Sequence, residues 1–179
     1  MGYPEMMQDI IEQVRREEFK IKRGSLENYP IIDEITGLYN DKYLHVRLDE
    51  EMARAKYYSR QLSFIMLDFG RPKKLDTTIE NPDEEKVLKK IADIINSCIR
   101  YDIDLAFRYS DDSFAIILPE VNVPHADTIT QSITQHIQKE KMGNIAMHAG
   151  VVQYDCHDHA EDLIRSAIDA LLTDKKESK

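Results

Sequence analysis

The chain has 179 residues, 42% of them apolar and 32% charged, with a formal net charge of −9. That is enough for one domain with a sizeable core plus an appendage. So acidic a chain does not hold nucleic acid by neutralising phosphates, nor does it favour anionic membranes. No apolar run reaches the length of a membrane span, so no membrane insertion is expected. The first residues, MGYPEMMQDI, lack a basic leader and an apolar core, so no secretory signal is expected. Cys98 and Cys156 are far apart in sequence and read as reduced thiols of a cytoplasmic protein.

Residues 5–24 have a helical, strongly charged pattern. Met7, Val14 and Ile21 recur at heptad spacing, with Ile10 and Ile11 between them, and Glu17 and Glu18 interrupt the seam. This predicts a helix over residues 5–24 that makes residues 1–30 an N-terminal signalling or linker helix segment. It either packs on its own domain or joins the domain to a partner or to a second copy in a homodimer. Gly24-Ser25 ends it, LENYP follows as a linker, and the main domain occupies residues 31–179.

DEITGLYN (33–40) is a turn-rich opening. A helix is predicted from about 41 to 59, with Tyr43, Leu44, Leu48, Met52 and Ala55 on one face. LSFIMLDF (62–69) is almost continuously apolar, as in a strand buried on both faces. An acidic loop follows, and then a helix marked by Val87, Leu88, Ile91, Ile94, Ile95 and Cys98. DLAFRY and SFAIILPE read as a hairpin. The next helix has Asn122 as cap and Pro124 in its first turn. NIAMHAGVV is another strand. The last helix runs over 160–175, with Glu161 and Asp162 at its positive end.

The predicted fold class is α+β, with a ferredoxin-like βαββαβ core. An antiparallel sheet is expected, its helices packed on one face, together with the leading helices. This topology serves many functions, so the site must decide. An RNA-binding module is opposed by the charge and by the lack of an aromatic RNA-contact signature.

Between the hairpin strands lies RYSDDSF (108–114). Tight hairpin turns favour glycine because positive φ is often needed there, and Ser110-Asp111-Asp112 supplies none. In the expected topology the end of the first core strand lies beside this turn, placing Asp68 near Asp111 or Asp112. Two carboxylates at neighbouring strand ends suit Mg²⁺, which takes oxygen ligands and completes its shell with phosphates and water. Lys73 could face a phosphate. The alternative is a solvated acidic turn beside an unrelated Asp. In DCHDH (155–159), Cys156, His157 and His159 could bind metal, but capping of the following helix accounts for them better. His45, His125 and His136 fall on helix surfaces and are assigned no role.

From about Asp33 to Lys175 the chain resembles the GGDEF family of diguanylate cyclases, which condense two GTP into cyclic di-GMP. DEITGLYN resembles the opening motif D-x-L-T-G-L-x-N. LSFIMLDF resembles the first core strand, which ends in a metal-binding Asp. RYSDDSFAIILP stands where the family has R-Y-G-G-D-E-F-x-x-x-L-P. IAMHAGVV resembles V-T-x-S-I-G-V-A, and AIDALLTDK resembles A-D-x-A-L-Y-x-A-K.

The resemblance assigns metal binding to Asp68 and Asp112, and phosphate contacts to Lys73 and Lys175. It places guanine reading at Asp76 and Glu85, where the family has Asn and Asp. An ionised Asp only accepts hydrogen bonds, so Asp76 loses half of that recognition. Ser110 and Asp111 replace the two glycines of the signature, which give the turn its shape and let the nucleotide approach. Ser113 replaces an acidic residue, and Phe114 is kept. The remnant of the product-inhibition site is Tyr101 and Asp104; Tyr cannot replace the planar Arg fork, so cyclic di-GMP is not expected to bind by that route, although Arg100 could reach round. These departures predict a degenerate GGDEF domain without cyclase activity, acting in bacterial signalling through a protein partner or a fused signalling domain. Two alternatives remain open: a receptor for GTP with Mg²⁺, and an active cyclase with unusual residues.

Overall fold

A computed structural model describes residues 30–70, 84–140, 145–155 and 158–177. The helix expected over 5–24, the residues Lys73, Asp76, Cys156 and His157, and the acidic loop before Glu84 lie outside the described residues. The unit described here is residues 32–179.

Asn40 caps the first helix by accepting the Tyr43 N–H at 3.0 Å. It closes a short strand, β1 (Tyr39–Asn40), and opens α1 (Asp41–Tyr58). Ser59 ends that helix in the left-handed conformation (φ 51°, ψ 45°). The apolar run becomes β2 (Leu62–Phe69), followed by α2 (Glu84–Cys98) and the hairpin β3 (Leu105–Arg108) and β4 (Ser113–Pro119). Asn122 caps α3 (Val123–Lys139) by accepting the His125 N–H, with Pro124 in the first turn as the sequence suggests. Then come β5 (Met147–Gln153) and α4 (Ala160–Glu177).

The sheet order is β1-β3-β4-β2-β5. The four long strands are antiparallel neighbours in the ferredoxin-like order, and β1 adds a parallel edge beside β3. The sequence reading gave residues 39–40 only as part of a turn. Tyr39 stacks against Phe107 and Tyr43, and this packing holds the short strand to the sheet edge.

The expectation of helices on one face is corrected. Ile65, Leu67, Phe69, Phe114, Ile116 and Leu118 pack under α2 and α3. Phe64, Met66, Phe107, Ala115 and Ile117 face the other way, under α1 and α4. Each fully buried side chain of this size contributes about 1.5–3 kcal/mol, so neither face of β2 could be left to water. The two helices outside the βαββαβ repeat supply the second cover.

Helix α4 meets β5 at Gly150. A Cβ there would stand 1.9 Å from the Ala167 carbonyl oxygen and 2.7 Å from the Leu171 nitrogen. Only glycine admits this approach of helix backbone to strand. Among the described residues no helix is long and apolar enough to cross a membrane.

Candidate functional site

The hairpin turn, residues 109–112, is built without glycine. The Tyr109 and Ser110 amides both donate to the Ser113 carbonyl, at 2.9 and 3.2 Å. None of Ser110, Asp111 and Asp112 takes positive φ. The turn is therefore of a kind that L-residues enter without strain, and the loss of both glycines does not damage its backbone.

Its shape is held from beneath. Arg108 donates through Nε to the Ser110 carbonyl at 2.7 Å and through Nη2 to the Asp111 carbonyl at 2.6 Å. The guanidinium lies 5.6 Å from the Phe114 ring centroid. Its remaining nitrogen, Nη1, is buried without a hydrogen bond and stands 3.9 Å from Asp33 Oδ1. Asp33 also accepts from the Thr36 amide and hydroxyl, closing the DEITG turn. The sequence reading passed over Arg108; its place directly before the turn was the signal available.

Asp68 lies at the end of β2, in register with Ser113 on β4 and His148 on β5. The three occupy one row on the sheet face covered by α4. The Phe69 amide donates to the Asp112 carbonyl at 2.9 Å, so strand end and turn are neighbours, as the topology suggested. Lys175, in the last turn of α4, makes an ion pair with Asp68 Oδ2. His148 Nδ1 lies 3.1 Å from Asp174 Oδ2, and the Ala149 amide donates to the same oxygen at 3.2 Å.

Apart from Asp112, which the turn holds beside the end of β2, the other candidates are dispersed. Ser110 and Asp111 are exposed, and Asp112 is half-buried. Glu85 is exposed in the first turn of α2 and makes no hydrogen bond or ion pair with Asp68 or the hairpin. Tyr101 is 89% exposed. Asp104 is buried and gripped by Arg100, whose Nη2 donates to Oδ1 at 2.6 Å and whose amide donates to Oδ2 at 2.8 Å. That Nη2 also donates to the Pro119 carbonyl. The hydrogen bond to Asp104 raises the Arg100 pKa above its ordinary value, against the lowering effect of burial. Arg100 thus has Asp104 and the Pro119 carbonyl as its partners.

At Asp68 a divalent cation would have to displace an ion pair. Among the described residues no group of three or more His, Cys, Asp or Glu side chains could hold a metal ion. The Asp68 carboxylate already has the Lys175 ammonium as its counter-charge; Ser113 offers a hydroxyl in the same row, and the second expected carboxylate, Asp112, belongs to the adjoining turn. An open cleft of about 220 Å³ lies at the opposite end of β2, lined by Arg47, Arg54, Arg60, Leu62, Ile103 and Pro119 among others.

Comparison with known proteins identifies the fold and the family. Over 178 residues the chain is 23% identical to diguanylate cyclase DosC of Escherichia coli, covering 96% of this chain and 36% of DosC. It thus spans about a third of that relative's length. The GGDEF domain of DgcB from Caulobacter crescentus, solved in complex with c-di-GMP, superposes with a TM-score of 0.74 at 20% identity, over 83% of this chain and 89% of that one. Diguanylate cyclase SiaD of Pseudomonas aeruginosa, solved with its activator SiaC, gives 0.73 at 22% identity, over 98% and 71%. The family model described as "Diguanylate cyclase, GGDEF domain" matches residues 30–179, and the chain belongs to that family.

Proposed function

We propose that this domain is a regulatory member of the family, acting through protein contact in cyclic-di-GMP-related signalling and not condensing GTP. The observation that carries the reading is the row His148–Asp68–Ser113, with Lys175 bound to its central carboxylate. The side chains of that row are a hydroxyl, an imidazole and a carboxylate paired with an ammonium, and the Asp112 carboxylate of the adjoining turn stands outside it. Mg²⁺ holding a triphosphate needs carboxylates free to bind it. The pairing of Arg100 with Asp104 and the exposed Tyr101 also argue against binding of cyclic di-GMP through that pair of positions. The partner is another protein or a fused signalling domain, reached through residues 1–30 or through the displayed side chains of the hairpin turn.

The test is conversion of GTP in the presence of Mg²⁺. No cyclic di-GMP is expected, and its formation would overturn the reading. Thermal melts with GTP, ATP and cyclic di-GMP, each with Mg²⁺ and with chelator, separate this reading from a receptor. A ligand at a hundred times its dissociation constant adds about 2.7 kcal/mol, so a Mg²⁺-dependent shift with GTP would favour the receptor.

A further inference from the structure

Two contacts fix the end of α4 against the sheet. The first is Gly150, where the helix backbone rests on the strand. The second is Asp174, nearer the helix end, whose Oδ2 takes the Ala149 amide and faces His148 Nδ1. The last turn of a helix has unsatisfied carbonyls and ordinarily frays. Here it is stitched to β5 by one carboxylate. The next residue, Lys175, then has its ammonium on Asp68, and Asp68 sits in register with His148 on the neighbouring strand. One residue of that strand row therefore carries the acid, while its neighbour holds the helix that delivers the counter-charge.

We infer that His148 and Asp174 form a latch seating the Lys175 ammonium on Asp68, so that the chain itself, and not a divalent metal, supplies the cation at that carboxylate. The inference rests on the non-cyclase reading and gives it a physical cause. An ammonium paired with a partly buried carboxylate satisfies its charge. A metal–triphosphate that needs Asp68 must first break the ion pair, and the latch opposes the helix-end movement that would relieve it. His148 stands where the pattern V-T-x-S-I-G-V-A has Ser, and Asp174 where A-D-x-A-L-Y-x-A-K has its last Ala. Both halves of the latch are departures, and they meet each other.

Calorimetric titration of the full chain with Mn²⁺·GTP tests the latch. Three proteins are compared: the wild type, the variant carrying His148→Ser with Asp174→Ala, and Asp174→Asn. The last keeps the size of the side chain and an acceptor for the Ala149 amide, so it guards against a folding defect. Both latch variants should bind more tightly than the wild type, the double variant at least about tenfold. Adding Asp68→Asn should abolish the gain. Binding no tighter than wild type in both variants, or a gain that survives Asp68→Asn, overturns the latch. If the wild type binds Mn²⁺·GTP through Asp68 as tightly as the variants yet forms no cyclic di-GMP, the latch falls and the regulatory reading stands. If the wild type forms cyclic di-GMP and the latch variants, binding more tightly through Asp68, form it faster, the regulatory reading falls and the latch stands.

Discussion

Arg108 Nη1 lies 3.9 Å from Asp33 Oδ1, and this contact joins the DEITG turn ahead of β1 to the hairpin turn at the edge of the candidate site. The same guanidinium holds two carbonyls of the hairpin and lies against Phe114. One buried side chain thus ties together a local turn, a hairpin and the core.

Replacing Arg108 with Lys keeps the charge but removes the planar fork, so an ammonium would reach only one of the two carbonyls. The expected cost is about 2 kcal/mol, read from urea denaturation, with faster hydrogen exchange at the Tyr109 and Ser110 amides. An unchanged midpoint would show that the turn holds itself.

Gly150→Ala places a methyl group against the Ala167 carbonyl and the Leu171 nitrogen. Both are backbone atoms of α4 and cannot swing aside. A loss of about 3 kcal/mol or more is expected, with weakening of the α4 contacts visible as faster exchange in that helix.

Arg100→Ala strips the charged partner from Asp104, whose side chain has 0% exposure. Because Arg100 itself is 44% exposed, the cost falls below that of a fully buried pair, at about 2 kcal/mol. The raised Arg100 pKa fixes the sign of any pH effect. Its contribution is fully present below the unfolded value and is lost only as pH rises through the still higher folded value. Between about pH 6 and 10 the Arg100 guanidinium keeps its charge in both states, so the difference in urea stability between wild type and Arg100→Ala should not change through its titration.

Restoring the signature with Ser110→Gly, Asp111→Gly and Ser113→Glu should still give little cyclic di-GMP, because Asp76 and Glu85 differ from the guanine-reading pattern and Lys175 remains on Asp68. The two glycines should also lower stability by about 0.5–1 kcal/mol each, because the turn uses no positive φ and glycine only loosens the unfolded chain. Robust product from this variant would refute the expectation, and denaturant melts check the stability half independently.

Ser59→Gly should stabilise the domain by about 1 kcal/mol, since Ser59 ends α1 in the left-handed region at a steric cost that glycine avoids. A melting temperature equal to or below that of the wild type would contradict this.

What the sequence revealed depended on the range of the contact. LSFIMLDF announced a strand covered on both sides, and the structure covers both. The borrowed picture of helices on one face conflicted with that run, and the residues were the better guide. Asn122 and Pro124 marked a helix start because capping is local. The nearness of Asp68 to the Asp112 backbone followed from topology. The His148–Asp174 pair had no local sign, since its members are separated by the turn into α4 and meet only where Gly150 seats the helix. Arg108 was hidden differently: its partners are carbonyls, and carbonyls leave no trace in a sequence. Arg100 and Asp104 are only four residues apart, but the other partner of that guanidinium, the Pro119 carbonyl, leaves no trace in a sequence either.

The grip of Arg108 on two carbonyls has a consequence for how this surface can change. Every residue type carries a carbonyl, so the course of the loop does not depend on which side chains it displays. Ser110 and Asp111, the two exposed positions of the turn, behave as a cassette in a fixed frame. A library randomising Ser110 and Asp111 would vary the displayed chemistry while keeping the scaffold, and drift at these positions could explore new binding specificities without passing through unfolded intermediates.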